Sequence, residues 1–367
     1  MKPLLLVSEI EDYTISFANG LAQHVPVVLG VPARRYTSFA KYFHSGVDLR
    51  LLDWPRHSSA KNPAFLLSLT RLVRRERPSI VHLLSNNVLW LNFAAPLWRP
   101  IPLVTTVHDV EIHPGDNETN VLPGWATTLI ARQSDGIVVH GESLRSLAVD
   151  RFRKPSDRVH VLSHPSIQHY TALAATEGLT PAADRPFTVL LFGRIMAYKG
   201  LATLLRAEKA LAGRVPDLRI TIAGRGDDPW SLQAEMGDPA RYDVRRGWIE
   251  DRDVAQLFLD ADVVVLPYSE ASQSGVLNLA AAFGKPVIVT DVGELRATVE
   301  PNGIGLVVPP DDPGALAQAI ASLAEQPERL AALGHAARIW ADGPNAPETV
   351  GGHAVDLYRR IIEERAR

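Results

Sequence analysis

Phe187–Gly200 reads FTVLLFGRIMAYKG: a short apolar run, a glycine that breaks it, two cations at Arg194 and Lys199, then a helical pattern running from Lys199 through Leu211. Strand, break and helix in that order make one βα unit. Ligands of open α/β sheets bind at the carboxyl ends of strands, so Gly193, Arg194 and Lys199 are expected at a binding edge. A guanidinium and an ammonium there suit a diphosphate, whose charge must be stabilised as it leaves. No P-loop pattern occurs in the chain to do the same work with glycines. A solvated surface pair of cations is the ordinary alternative.

The same alternation continues on both sides. Strand runs follow at Arg219–Ala223, Val263–Leu266, Pro286–Thr290 and Gly305–Val308, and precede it at Pro3–Ser8, Val25–Val31, Ile80–Leu84, Leu103–Val107, Gly136–His140 and Val159–Leu162. Helix-length segments between them predict parallel sheets built from βαβ units, two in series. A chain of 367 residues is also too long for one ordinary core. The stretch Ser166–Pro186, with alanine, threonine, glycine and proline and little apolar periodicity, reads as a linker. The expected domains are therefore 1–168 and 185–345, with a helix in 346–367 that belongs to no strand and returns to the first domain.

Composition narrows the class. Apolar residues make up 46% and charged residues 22%, as in soluble globular proteins, and a net charge of −3 gives no reason to expect nucleic acid as a partner. The absence of cysteine excludes disulfides and cysteine metal sites and fits a cytoplasmic location. The first apolar run is cut off by Glu9, Glu11 and Asp12, and Val88–Trp98 is interrupted by Asn92 and Pro96. Neither has the form of a signal peptide or the roughly 20 residues of a membrane span. Peripheral contact with the inner face of a membrane is one reading of Phe65–Pro78, where Arg71, Arg74, Arg75 and Arg77 border an apolar face. An ordinary packed helix with a basic edge is the other.

The second half then presents GRIMAYKG, LRITIAGRGDD, RGWIEDRDVAQLFLDADVVVLPYSEASQSGVLNLAAAFGKPVIVTDVGEL and GIGLVVPPDDPGALAQAI in order. From Phe187 to Leu323 this resembles the nucleotide-sugar-binding domain of the GT-B glycosyltransferases, and among them glycosyltransferase family 4. The first half matches more loosely, through Val104–Val110, Val138–Leu144 and Val161–Pro165. The resemblance implies an α/β fold of GT-B architecture, two Rossmann-like parallel-sheet domains facing across a cleft. It assigns the donor diphosphate to Arg194 and Lys199, which is the role their position had already suggested. Backbone N–H groups of Ser272, Gln273, Ser274 and Gly275 are expected to face the same phosphates, although Ser272 or Ser274 also suits a helix cap. Gly224 and Gly226 would let a nucleotide pack against the chain. Trp248 and Ile249 would frame its base, or simply pack.

The family also carries two glutamates eight positions apart, one for the sugar and one for the ribose. Here Glu270 is followed at that spacing by Asn278, while counting back from Gly284-Lys285-Pro286 gives Ala271 and Leu279. Asparagine can hydrogen-bond a ribose hydroxyl and leucine cannot. A further family glutamate falls on Ala297 in VGELRATV, so the chain belongs to a divergent branch. In the first half the resemblance gives His108 the transferred sugar, and position places Asp109, Asp12 and Tyr13 on the acceptor side. His82, His140 and His164 read as core or turn residues. Asp251-Arg252-Asp253 has the form of a metal-binding DxD, but Val254, Leu257 and Phe258 follow at helical spacing and make Asp251 or Asp253 a helix N-cap.

The expected activity is retaining transfer of a hexose from a nucleoside diphosphate sugar, as co-substrate, to a hydroxyl of a glycan or lipid-linked glycan. Cell-surface or exopolysaccharide assembly is the setting, with no metal and no other cofactor. The altered glutamate pair motivates a rival, a non-catalytic subunit of the same fold; the retained cations and the SQSG turn argue against it. A GT-B epimerase fits the GRxxxxKG string less well.

Overall fold

In the computed structural model, residues 1–111, 122–211 and 213–366 are described. The chain divides into two units: one holds the chain as far as Pro165 together with the segment from Asn345 onward, and the other is Ser166–Pro344.

The first unit contains β1 (Pro3–Leu6), β2 (Val27–Pro32), β3 (Val47–Leu52), β4 (Ile80–Leu83), β5 (Leu103–Thr106), β6 (Gly136–Val139) and β7 (Val159–Val161). They form one parallel sheet in the order β3-β2-β1-β4-β5-β6-β7. The second contains β8 (Phe187–Phe192), β9 (Leu218–Gly224), β10 (Tyr242–Arg246), β11 (Val263–Leu266), β12 (Val287–Thr290) and β13 (Gly305–Val308), parallel in the order β10-β9-β8-β11-β12-β13. Central strands are mostly apolar because both faces are covered. Leu4 and Leu6 of β1 join one cluster and Leu5 the cluster on the opposite face.

Two strands were not expected, β3 and β10, and each lies at a sheet edge. Their sequences, VDLRLL and YDVRR, interleave charged and apolar residues because an edge strand is only partly covered. A buried carboxylate anchors the start of β10. Glu208, 1% exposed, accepts hydrogen bonds from the N–H groups of Gly237 (2.6 Å) and Asp238 (3.2 Å), from Arg241 (3.2 Å) and from the hydroxyl of Tyr242 (3.3 Å).

The stretch expected to be a linker holds a helix, His169–Glu177. Ile167, Tyr170 and Ala174 pack into the core of the second unit beside Val254 and Phe258. With few apolar residues facing inward among alanines and threonines, the apolar period was too thin to see. The expected N-cap at Asp251 or Asp253 is also corrected: Glu250 holds that position, and both aspartates lie in the first turn of the helix Asp251–Asp260.

The helix Pro347–Ala366 packs against Glu11–Ala22 within the first unit. Backbones meet directly: a side-chain carbon on Gly20 would lie 1.8 Å from the Pro347 carbonyl oxygen, and one on Gly351 2.3 Å from the Gly20 carbonyl carbon. The arginine-edged helix is Asn62–Glu76, which buries Leu69, Thr70 and Val73 and exposes Arg71, Arg74 and Arg75. No helix of the described residues is long and apolar enough to cross a membrane.

Candidate active site

In the second unit β8 ends at Phe192 and the chain turns at Gly193, with φ at 106°. It then runs beside the exit of β9. Gly193 N–H donates to Ala223 (3.0 Å), Ile195 N–H to Arg225 (2.7 Å) and Asp227 N–H to Ile195 (2.8 Å). A side-chain carbon on Gly224 would lie 1.7 Å from the Gly193 oxygen, and one on Gly226 2.0 Å from that of Ile195. The chain's own close crossing therefore requires both glycines, whatever they offer a nucleotide.

That crossing positions the cations. Arg194 Nη2 donates to the hydroxyl of Tyr198 at 3.4 Å. Lys199 Nζ lies 3.7 Å from the centre of the Tyr268 ring and 4.9 Å from that of Tyr198, a cation–π arrangement. Gly200, with φ at 70°, brings its backbone so close to Pro267 that a side chain would sit 1.7 Å from the carbonyl oxygen. The α-helix therefore starts at Leu201, after a short 3-10 turn at Ala197–Lys199.

Tyr268 links the cations to a helix start. Its hydroxyl meets Ser274 Oγ at 3.2 Å, and Ser274 is the N-cap residue of the helix Gly275–Ala282. The Ser274 side chain makes no cap bond to that helix. Burial pushes the Tyr268 pKa up to about 12, against the lowering effects of the Ser274 bond and of nearby Arg194, so the phenol stays neutral. Lys199 and the helix start thus meet at the Tyr268 ring, and Arg194, bonded to Tyr198, is near enough to act on it.

The remaining expected donor residues lie in the same unit. Trp248 is 58% exposed with the Arg225 guanidinium 5.2 Å from its ring centre, while Ile249 is half-buried and packs against the core. An exposed indole is available to stack, whereas Ile249 serves the core. Glu270 is exposed, Ser272 and Ser274 are buried, and Gln273 Oε1 is buried without a hydrogen-bond partner among the described residues. The Asn278 amide donates to the Ser274 carbonyl at 3.2 Å, one turn back along the helix, whereas Leu279 faces the apolar core. Of the two possible registers, the one ending at Asn278 keeps a polar group beside the Ser274 turn.

The sequence did not point to Tyr198, Tyr268 or Glu294. Glu294, 8% exposed, donates its N–H to the Ser272 carbonyl at 3.1 Å. The turn before it is tight: a side chain on Gly293 would lie 2.0 Å from the Ala271 oxygen. A glutamate therefore joins its backbone to the SQSG turn three positions before Ala297, where spacing had sought one. The signal available was the glycine–glutamate pair closing TDVGEL.

In the first unit the strand ends carry histidines. His108 follows β5, His140 follows β6 directly, and His164 lies just past β7; each is partly exposed. His140 and His164 are thus not simple core residues, and with His108 they surround the Tyr13 ring at centroid distances of 4.7 Å (His108), 5.3 Å (His140) and 5.0 Å (His164). Tyr13 itself is 3% exposed. Both nitrogens of His108 are engaged, Nε2 with the Leu84 carbonyl at 2.8 Å and Nδ1 with His140 Nε2 at 3.1 Å. Burial lowers the pKa of His108, opposed by Asp109 and Glu9, and holds His140 well below the usual histidine range. Burial also takes His164 down to about 4, opposed in part by Asp12. Asp109 is exposed and Asp12 half-buried at the start of Glu11–Ala22. His82 is a core residue, 0% exposed between the Tyr358 hydroxyl (2.5 Å) and that of Thr106 (2.8 Å). No group of three or more His, Cys, Asp or Glu side chains among the described residues is placed to hold a metal ion.

Known proteins agree with this architecture. Residues 10–165 match the family model described as Glycosyltransferase Family 4, and residues 186–326 match that described as Glycosyl transferases group 1. A D-inositol 3-phosphate glycosyltransferase of Saccharomonospora viridis is 30% identical over 305 residues, covering 76% of this chain and 68% of the relative. One from Rhodococcus opacus is 28% identical, covering 81% and 71%. Among solved structures, Anabaena HepE in complex with UDP-glucose superposes with a TM-score of 0.73 at 17% identity, over 98% of this chain and 100% of that one. With both halves matched by family models and a 30% identical relative covered over 68% of its length, the chain belongs to glycosyltransferase family 4 of the GT-B fold.

Proposed function

We propose that this glycosyltransferase is a retaining, metal-independent hexosyltransferase that moves a sugar from a nucleoside diphosphate to a hydroxyl of a glycan or lipid-linked glycan. The observation that carries the reading is the meeting of Lys199 and the Ser274 helix start at Tyr268, with Arg194 bonded to Tyr198 on the same turn as Lys199. Fixed cations and helix-start N–H groups are the donors that stabilise a departing diphosphate where no metal does so. In this reading Gly193 and the Ser272–Gly275 turn admit the phosphates, Trp248 stacks on the base, Asn278 bonds the ribose, and Glu270 and Gln273 accept from sugar hydroxyls. In the first unit His108 contacts the transferred sugar, and Asp12, Tyr13 and Asp109 serve the acceptor. His108 must release one of its present partners to do so. The setting is the cytoplasm, at the inner face of a membrane, in cell-surface or exopolysaccharide assembly.

Thermal shift with UDP, GDP and ADP sugars selects the donor. Turnover is then measured with glycan, lipid-linked and inositol phosphate acceptors, the last because of the relatives' names. Transfer abolished by Arg194→Ala, with the anomeric configuration of the donor kept in the product, supports the proposal. Binding without turnover for every acceptor identifies a non-catalytic subunit instead. Activity lost to chelator and restored by magnesium or manganese overturns metal independence.

A further inference from the structure

The sheet order of the first unit creates a proton problem at the ends of β4, β5, β6 and β7. His108, past β5, reaches over the end of β4, where its Nε2 lies 2.8 Å from the Leu84 carbonyl oxygen. His140, past β6, reaches the other way to β7, where its Nδ1 lies 2.8 Å from the Leu162 carbonyl oxygen. Carbonyl oxygens only accept, so both of these nitrogens carry hydrogen. A neutral imidazole carries one N–H. The facing nitrogens, Nδ1 of His108 and Nε2 of His140, are then both bare, yet they stand 3.1 Å apart, a hydrogen-bond distance.

We propose that His108 and His140 share one proton, and that this singly charged pair latches His108 against Leu84 and His140 until the proton leaves. Three N–H bonds then serve four ring nitrogens and every contact is satisfied. Without the proton, either two lone pairs face each other or one ring turns a bare nitrogen to a carbonyl. The conflict is relieved when His108 turns away, which frees a ring nitrogen for a sugar hydroxyl.

The surroundings act in both directions. Glu9 and Asp109 act on His108 and favour the charge. His82 and His164 act on His140 and disfavour it, Asp12 bears on His164, and the uncharged Tyr13 ring lies edge-on among the three outer imidazoles. Glu142 begins the next helix and is exposed. Burial opposes the charge, and the contact geometry favours it. His140 is on this account a positioning residue for His108, and the catalytic part of the inference rests on His108 contacting the sugar.

The test uses the whole chain labelled with 15N-histidine, followed by NMR over roughly pH 5 to 9. His108 and His140 are expected to titrate in one common step, and His140→Phe to abolish that step and shift the His108 midpoint downward. Separate steps, or an unchanged His108 midpoint in the variant, overturn the shared proton. Transfer is measured in parallel. Turnover should fall about tenfold per pH unit below the common midpoint, because one proton is taken up. His140→Phe should remove that fall, and His140→Gln, whose amide can donate to His108 Nδ1 at any pH, should stay slow throughout. A shared step with a pH-independent rate overturns the latch. A wild-type chain without turnover on any donor overturns the proposed function, while the titration still decides the proton.

Discussion

The two sheets share one architecture and end in opposite chemistry. Beyond β8, β9 and β11 the second unit places two cations, Arg194 and Lys199, with glycines at 200, 224 and 226 that let backbone touch backbone. Beyond β5, β6 and β7 the first unit places imidazoles that burial holds mainly neutral around a buried tyrosine. One end has two cations and a rigid turn, suited to an anion. The other has imidazoles that burial favours in the neutral form, suited to neutral hydroxyls. The contrast shows how a repeated βα plan is specialised by the few residues that follow each strand.

The strongest way to break the contrast is to remove fixed charge. Arg194→Ala or Lys199→Ala should lower kcat/KM about 10²–10³-fold, as loss of one charge-stabilising donor does elsewhere, with an unchanged melting curve because both residues are only half-buried. Initial rates against a matched thermal melt decide it; a mutant with near-normal rates removes these residues from the mechanism. Next comes the rigid turn. Gly200→Ala places a methyl group against the Pro267 carbonyl at a positive φ and should cost about 3 kcal/mol in urea denaturation. Gly213, also at positive φ but with open space around it, is the control and should cost about 1 kcal/mol.

Acid should separate the units. His82 is fully buried, and burial takes its pKa from 6.5 to about 3, so the unfolded chain binds its proton first as pH falls. Its neutral form contributes no pH-dependent loss above 6.5. Below that, stability should decline by about 1.4 kcal/mol per pH unit until about pH 3, roughly 2 kcal/mol between pH 6.5 and 5. Hydrogen exchange at pH 7 and 5 should show the first unit losing protection before the second, and His82→Leu should flatten the difference. The smallest effect is expected at Trp248. Its replacement by alanine should raise the donor KM about tenfold, the lower part of what base stacking contributes, and leave folding intact because the indole is exposed.

Much of this was legible along the chain. Strands covered on both faces, such as PLLL in β1 and VIVT in β12, announce themselves as apolar runs because no residue in them meets water. FGRIMAYKG places its two cations correctly at a strand end for a related reason, since the break after β8 is local. The edge strands β3 and β10 and the helix His169–Glu177 were hidden: each is covered on one side only, so its composition resembles a loop. At the site, Tyr268, Glu294 and the facing histidines each act through contacts with residues distant in sequence.

Sequence alone determined the parallel βα alternation, the family and the placing of two cations just past β8, because burial on both faces, turn chemistry and motif order are written in neighbouring residues. Tertiary structure alone decided that Lys199 lies over Tyr268, that the Glu294 N–H bonds the Ser272 carbonyl, and that His108 faces His140. Strand order, not chain order, brings those groups together, and charge and hydrogen-bond partners depend on distance in space.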